Sequence, residues 1–174
     1  MTPSELRFEA MRERYQSQRD RREEIRNSVA TPVAGLAFAA YTLSMVTGRV
    51  DVTLWQEPVT GTVMLLAGAA VLALLAGALF IVRMEKNVIY IDPPDLQELV
   101  NIEQQARKQD DSEERVTQQL QDALCGSYDI IYRRYFASNE QAARDRTRGL
   151  HLIILGLALI MIALVLLPFQ GGLA

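Results

Sequence analysis

The sequence GLHLIILGLALIMIALVLLPF, residues 149–169, decides the fold class of this chain. Its only ionisable residue is His151, and it is long enough to cross a lipid bilayer as a helix, which takes about 20 apolar residues. Two further stretches without a charged side chain precede it, at residues 27–48 and 58–82. A soluble chain of 174 residues has little reason to carry three such runs. The sequence therefore predicts an all-α integral membrane protein with three transmembrane helices.

The basic residues predict the orientation of these helices. Seven arginines precede the first run, only Arg49 lies between the first and second, and ten basic residues lie between the second and third. Lys and Arg near the ends of transmembrane helices favour the cytoplasm. We therefore expect a membrane protein with its N-terminus in the cytoplasm and its C-terminus outside. Trp55, in the predicted outer hairpin, suits the membrane–water interface.

The expected organisation has five segments within a single helical unit. They are a cytosolic N-terminal charged helix (1–28), a transmembrane hairpin (29–83, with spans at about 30–48 and 59–82), a cytosolic helical segment (84–148), a third transmembrane helix (149–168) and a short outer tail (169–174). Polar residues thus lie mainly on the cytosolic side. No secretory signal is expected, because the charged stretch before the first apolar run is far too long to begin one.

Local signals predict where these helices begin and end. Thr31-Pro32 resembles an N-cap followed by proline, so the first span is expected to break from the N-terminal helix near Pro32. An extended run at 88–91 should stop at Asp92-Pro93-Pro94, with a helix beginning near Asp95. Asp110-Asp111 should then interrupt that helix. From Glu113 onward no strong stop occurs, which predicts one long helix that continues into the third span.

Small residues recur at helical spacing in the first two spans. The first span carries Thr31, Gly35 and Ala39 on one face, and Ala30, Val33, Ala37, Tyr41, Ser44 and Gly48 on another; the second carries Ala69, Ala73 and Gly77. Such faces let helix backbones approach closely in lipid. The third span is rich in Leu and Ile, with only Gly156, Ala158 and Ala163 counted as small, so we expect it to face lipid.

A passive pore is one function that these spans allow. Proton relays and voltage sensors usually need charged residues inside the bilayer, and none of the three runs contains Asp, Glu, Lys or Arg. Tyr41, Ser44 and Thr47 are candidate pore-lining residues. The alternative is that these three residues only pack one helix against another. Three spans cannot surround a pore, so conduction would require a homo-oligomer.

Catalysis and metal binding have few candidate residues. His151 and Cys125 are the only residues of their types, which leaves nucleophilic triads and common zinc sites without partners. A glycine-rich phosphate-binding loop is also missing from the sequence. We therefore expect no enzyme, no catalytic residues, no metal site and no cofactor.

Aromatic residues alternate with arginines in residues 128–136, YDIIYRRYF. Arginine binds phosphate and aromatic rings stack on bases, a pairing that holds nucleotides. The candidate ligand-binding residues are Tyr128, Tyr132, Arg133 and Arg134, with Arg107 and Lys108 adding charge from a neighbouring helix. The alternative is that Tyr128, Ile131 and Tyr135 form a core while the arginines are solvated. The acidic excess around this stretch argues against binding of long nucleic acid.

The layout of charged helix, tight transmembrane hairpin, long cytosolic helices and third span resembles the small helical membrane effectors of bacterial anti-phage systems. These include SLATT-type proteins and the channel subunit of Hailong-type systems, although the third span departs from the simple SLATT plan. The resemblance implies a homo-oligomeric effector or ion channel, gated by a nucleotide or oligonucleotide from a partner synthase. Two alternatives stay open: a non-conducting membrane scaffold or regulatory subunit that recruits a cytosolic partner, and a subunit of a larger transporter.

Overall fold

The computed structural model describes residues 3–86, 95–108 and 112–170. Five α-helices make up most of these residues: α1 (Pro3–Asn27), α2 (Ala30–Thr47), α3 (Pro58–Lys86), α4 (Leu96–Arg107) and α5 (Glu113–Leu166). Short 3-10 turns follow α2, at Val52–Leu54, and α5, at Leu167–Phe169. The described residues contain no β-strand, so the prediction of an all-α fold is confirmed.

Three helical stretches are long and apolar enough to cross a membrane. They lie in Glu5–Thr47, Pro58–Lys86 and Glu113–Phe169. At 1.5 Å per residue, α2 alone is about 27 Å long and α3 about 43 Å, against a hydrocarbon core of about 30 Å. Pro58 begins α3 at the first helical position, where the missing N–H of proline is tolerated.

The junction between α1 and α2 lies where a break was expected, but its N-cap differs from the sequence prediction. A two-residue turn at Ser28 and Val29 separates the helices, and α2 begins at Ala30, two residues before Pro32. Val29 occupies the N-cap without a side-chain hydrogen bond, so Thr31 lies inside the helix. Pro32 nevertheless explains the interruption, because a proline removes the hydrogen bond to the carbonyl four residues earlier, here Ser28. Thus the interruption lies upstream of the proline that causes it.

The helices beyond α3 agree with the sequence where they are described. α4 begins at Leu96, one residue after the predicted start, and α5 is a single helix from Glu113 to Leu166, as expected. At 54 residues, α5 is about 81 Å long. The expected extended run at 88–91, the Asp92-Pro93-Pro94 stop, the Asp110-Asp111 break and the end of the outer tail at 171–174 lie outside the described residues.

The chain divides into two compact units, and α5 contributes residues to both. The polar unit comprises residues 1–25 and 88–141, and the apolar unit comprises residues 26–87 and 142–174. α2, α3 and the C-terminal part of α5 therefore belong to the apolar unit. The polar unit contains most of α1, together with α4 and the N-terminal part of α5.

The core of the apolar unit is built from one face of each of its three helices. Its buried residues are Ala39 and Val46 from α2, Val63, Ala70, Leu74 and Ile81 from α3, and Ile153, Ile160 and Ala163 from α5. Small side chains in this set let the helices approach one another closely. Of the small residues predicted on α3, Gly77 is buried, whereas Ala69 and Ala73 are half-buried.

Glycines set the closest approach between α3 and α5. A Cβ atom on Gly149 would lie 2.8 Å from Cδ1 of Ile81 and 3.2 Å from the carbonyl oxygen of Gly77. A Cβ atom on Gly156 would lie 2.8 Å from Cγ of Leu74. The third apolar helix therefore has a core-facing side as well as the outward-facing side that the sequence predicts. α5 packs into the core through a glycine face that the sequence analysis underrated, because Gly149 lies at the edge of the apolar run.

Candidate functional site

Two aromatic residues of the YDIIYRRYF stretch, Tyr128 and Tyr135, pack between α1 and α5 in the polar unit. We call this interface the aromatic seam. Tyr15, Ile131 and Tyr135 are buried there, and Tyr128 packs against them. The ring of Tyr15 lies 5.4 Å from that of Tyr128 and 5.9 Å from that of Tyr135, between ring centroids. Phe8 contacts Tyr128 edge-on, with 5.9 Å between centroids. Tyr128, a predicted ligand-binding residue, is thus partly buried in a side-chain core.

Two polar residues continue this seam, and the sequence analysis did not identify either of them. Asn139 is 2 % exposed, and its Nδ2 donates hydrogen bonds to the backbone carbonyl of Gln18 (2.8 Å) and to Oε1 of the same residue (3.2 Å). The guanidinium carbon of Arg22 lies 5.0 Å from the centroid of the Tyr135 ring. The sequence of α1 contains a signal for these two contacts, because Gln18 and Arg22 continue the helical spacing that begins at Tyr15.

The other candidate ligand-binding residues of this stretch lie outside the seam. Tyr132 is half-buried and stacks obliquely on Phe136, with 6.1 Å between ring centroids. Nη2 of Arg133 forms an ion pair with Oδ2 of Asp129 at 2.9 Å, and its side chain is largely exposed. Arg134 is exposed as well. Arg133 and Arg134 therefore lie on the exposed surface of α5, whereas Tyr132, four residues after Tyr128, lies on the same side of the helix as Tyr128 and is only half-buried.

Arg107 and Lys108 lie at the C-terminal end of α4, both exposed. Nε of Arg107 donates to Glu103 at 2.9 Å, and its Nη1 donates to Glu113 at 3.3 Å. The hydrogen bond with Glu103, followed by that with Glu113, raises the pKa of Arg107 above its usual value. Glu113 and Arg133 are twenty residues apart on α5, or about 30 Å. The structure thus does not bring Arg107 together with Arg133 in one pocket.

The outward face of α2 contains the second group of candidate residues. Of the two small-residue faces, the one with Ala39 turns into the core, where a Cβ atom on Gly35 would lie 3.3 Å from Ile153. The other face is exposed at every position: Ala30, Val33, Ala37, Tyr41, Ser44 and Gly48. Tyr41 is 62 % exposed. We call these six residues the α2 outer face.

The candidate pore-lining residues belong to this exposed side of α2. Tyr41, Ser44 and Thr47 all point away from the core of the apolar unit. Oγ1 of Thr47 donates a hydrogen bond to the carbonyl oxygen of Ser44 at 3.1 Å. Thr42, by contrast, is buried, and its hydroxyl donates to the carbonyl oxygen of Phe38 at 2.7 Å. The structure therefore brings the three predicted residues onto one accessible surface.

The α2 outer face differs in chemistry from the exposed faces of the other two apolar helices. α3 exposes Leu65, Leu72, Leu75, Leu79 and Val82, and α5 exposes Ile154, Leu155, Met161, Ile162 and Val165. Such large aliphatic side chains suit lipid. Small residues and hydroxyls instead suit contact with another helix, or with water. The exposed surface of α2 combines small residues with hydroxyls, and it also carries the large apolar side chains of Phe38 and Met45.

Cys125 lies in the polar unit and is half-buried, as a small structural residue would be. Burial, with a smaller contribution from Asp122, raises the pKa of its thiol above the usual value. Among the described residues, no group of three or more His, Cys, Asp or Glu side chains is placed to hold a metal ion.

Comparisons with protein-family models, with curated proteins and with solved structures find no significant match to this chain. The resemblance to SLATT-type and Hailong-type effectors stays a prediction at the level of architecture.

Proposed function

We propose that this chain is a membrane protein that assembles with copies of itself through the α2 outer face and forms a pore along that face. The observation that carries the proposal is the contrast between this face and the leucine-rich exposed faces of α3 and α5. In the proposed arrangement the N-terminus lies in the bacterial cytoplasm and the C-terminus outside. The distribution of Lys and Arg supports this orientation.

The α2 outer face has small residues that suit close helix packing and hydroxyl groups that suit contact with water. Ala30, Ala37 and Gly48 allow backbones of neighbouring copies to approach. Tyr41 and Ser44 carry hydroxyls that can contact water along a pore. The buried side of α2, which includes Ala39 and Val46, is already occupied by the core of the same chain. An assembly that used α2 as its central helix would thus leave each three-helix core intact.

Gating would act through α5 in this proposal. α5 is one uninterrupted helix that carries both the aromatic seam of the polar unit and the glycine face of the apolar unit. A ligand that binds the polar unit more tightly in one arrangement of α5 would shift the balance between closed and open states. The ligand expected from the resemblance is a nucleotide or oligonucleotide, and the expected role is anti-phage defence.

We infer a smaller ligand site than the sequence suggests. Arg133 and Arg134 are exposed on α5 and the half-buried Tyr132 precedes them, whereas Arg107 belongs to a separate ion-paired group about 30 Å away. We therefore propose only Tyr132, Arg133 and Arg134 as candidate nucleotide contacts. Arg133 would have to exchange its ion pair with Asp129 for a phosphate.

A non-conducting scaffold is the second candidate function, and one observation favours it. The same surface of α5 exposes two large apolar side chains, Ile130 (57 % exposed) and Phe136 (44 %). A surface that mixes such residues with arginines also suits a protein partner. In this alternative the polar unit would recruit a cytosolic protein, and the α2 outer face would only hold copies together.

Cysteine accessibility in a conducting membrane tests the pore. In a Cys125→Ser background, Ser44→Cys would be reconstituted in planar bilayers and exposed to a charged, water-soluble thiol reagent. We expect current that falls when the reagent is added, because position 44 faces the pore. Leu72→Cys, on the exposed face of α3, is the matched control and should be insensitive. Absence of current with and without nucleotides, or equal block of both variants, would contradict the pore.

A further inference from the structure

Asp145 carries a carboxylate that is buried in the apolar unit. Its side chain is only 5 % exposed, and it lies on α5 one helical turn before Gly149, where the apolar run begins. None of the described residues donates a hydrogen bond to its Oδ2. A carboxylate taken out of water is strongly destabilised unless a cation or hydrogen-bond donors compensate it. The packed arrangement of α3 and α5 therefore contains a charge that would be more stable in water.

The guanidinium of Arg83, on α3, offsets this buried charge. Its Nε lies 3.7 Å from Oδ2 of Asp145, and the Arg83 side chain is 63 % exposed. Arg83 follows the last residue of the uncharged run of α3, so the pair lies just beyond the close contact between Ile81 and Gly149. One partner of this ion pair is thus buried between the helices, while the other is mostly in water.

Other charged residues at this end of the apolar unit do not replace Arg83. Of the ion pairs that the described residues form, Asp145 takes part in the one with Arg83. Arg144 has an interaction of its own, as has Glu140 one turn before it. Loss of Arg83 would therefore leave the Asp145 carboxylate without an ion pair. The other charged residues at this end are Glu85 and Lys86 on α3, Arg146 and Arg148 on α5, and Arg26 before α2, which itself carries no charged side chain.

We propose that Arg83 and Asp145 form a latch that controls the separation of α3 from α5. Arg83 holds the two helices together by neutralising the buried carboxylate, whereas hydration of that carboxylate favours their separation. Asp145 lies only about 6 Å along α5 from the start of the apolar run, so a small displacement would bring it to water. The inference rests on the membrane placement and on the movement of α5 in the proposed function, and it does not depend on a pore.

The accessibility of position 84 tests the latch, because Met84 follows Arg83 on α3 and is only 2 % exposed. The full-length chain with Met84→Cys would be labelled with a water-soluble maleimide in a non-ionic detergent, and mass spectrometry of its peptides would follow positions 84 and 125 separately. Removing the exposed partner leaves a buried charge unpaired, whereas removing the buried charge leaves only a hydrated guanidinium. We therefore expect Arg83→Gln to raise the labelling rate at position 84 about tenfold and Asp145→Asn not to raise it. In the Asp145→Asn background, Arg83→Gln should lose its effect.

Two controls make this test specific to the latch. Lys86→Gln removes the same charge from an exposed position at the same end of α3 and should leave the labelling rate unchanged. Native Cys125 in the polar unit would detect general unfolding, and its labelling rate should be the same in all variants.

Four outcomes would overturn the latch. They are equal acceleration by Arg83→Gln and Asp145→Asn, an effect of Arg83→Gln that persists in the Asp145→Asn background, acceleration by Lys86→Gln to the same extent, and acceleration at Cys125 together with position 84. A chain that carries no current but shows the expected labelling pattern would refute the pore alone.

Discussion

At the scale of single residues, two glycines of α5 occupy opposite environments. Gly149 lies against α3, where an added Cβ atom would approach Ile81 to 2.8 Å, whereas Gly126 has no such neighbour within 4 Å. Glycine in a helix interior costs about 1 kcal/mol relative to alanine, so its presence needs a compensating contact. Gly149 has that contact in the close approach of two backbones, and Gly126 does not.

Alanine at these two positions should therefore have effects of opposite sign. Gly149→Ala forces α3 and α5 apart, and overpacking should outweigh the gain in helix propensity, for a net loss of about 1–2 kcal/mol. Gly126→Ala should stabilise the chain by about 0.5–1 kcal/mol. Equilibrium unfolding in detergent measures both variants. If Gly149→Ala were as stable as Gly126→Ala, the close packing of α3 on α5 would be wrong.

The raised pKa of Cys125 predicts slow alkylation of its thiol. Thiolate is the reactive form, so burial that raises the pKa lowers the reactive fraction at pH 7 and shifts the reaction to higher pH. We expect Cys125 to react with maleimide more slowly at pH 7 than an exposed cysteine, with a rate that continues to rise to higher pH. Ser112→Cys in a Cys125→Ser background is the exposed comparison. Equal rates at pH 7 would argue against the burial of Cys125.

At the scale of helices, the α1–α5 seam depends on one buried amide. Asn139 donates to the backbone carbonyl and to the side chain of Gln18, so it fixes the register of α1 against α5. The tyrosines at 15, 128 and 135 supply apolar contact area. The seam is thus apolar for most of its length, and a polar contact at one end specifies the register of α1 against α5.

Asn139→Ala should loosen α1. Loss of the amide removes two hydrogen bonds across the seam, each of which contributes about 0.5–1.5 kcal/mol. We expect faster hydrogen exchange in residues 3–27, with little change in α3. Gln141→Ala, an exposed position two residues along α5, is the matched control. Unchanged exchange in α1 after Asn139→Ala would show that this hydrogen bond does not hold α1 in place.

The sequence predicted the helices better than it predicted their faces. Apolar runs and the absence of a stop after Glu113 were sufficient for α2, α3 and the continuous α5. Two small-residue faces on α2 looked equivalent, and only packing shows that Ala39 turns inward while Ala37 turns outward. The role of Gly149 depends on α3, which periodicity within α5 cannot reveal.

The candidate ligand site could likewise be predicted only in part, because its pattern lies within α5 but its packing depends on α1. Alternation of aromatic residues and arginines in α5 was visible in the sequence, but the tyrosines have different environments. Tyr128 packs with Tyr15 from a helix more than 100 residues away, whereas Tyr132 lies with Phe136 on the surface. The motif shows which residue types lie close together along α5. Packing against α1 determines which of these residues are accessible.

At the scale of the whole molecule, the distribution of basic residues predicts an odd number of membrane crossings. Basic residues before α2 and between α3 and the apolar part of α5 favour the cytoplasm, which leaves the C-terminus outside. A reporter active only outside the cytoplasm should therefore be active when fused after Ala174. The same reporter fused to the N-terminus should be inactive. If only the N-terminal fusion were active, the proposed orientation would be wrong.

The central claim is that the α2 outer face contacts a second copy of the chain, and disulfide crosslinking in membranes tests it most directly. In a Cys125→Ser background, cysteine would replace Ala37 on that face, or Leu72 on the exposed face of α3. Mild oxidation followed by non-reducing electrophoresis would measure the covalent dimer. We expect dimers for Ala37→Cys and few or none for Leu72→Cys. A monomeric Ala37→Cys, or equal crosslinking of both variants, would contradict it.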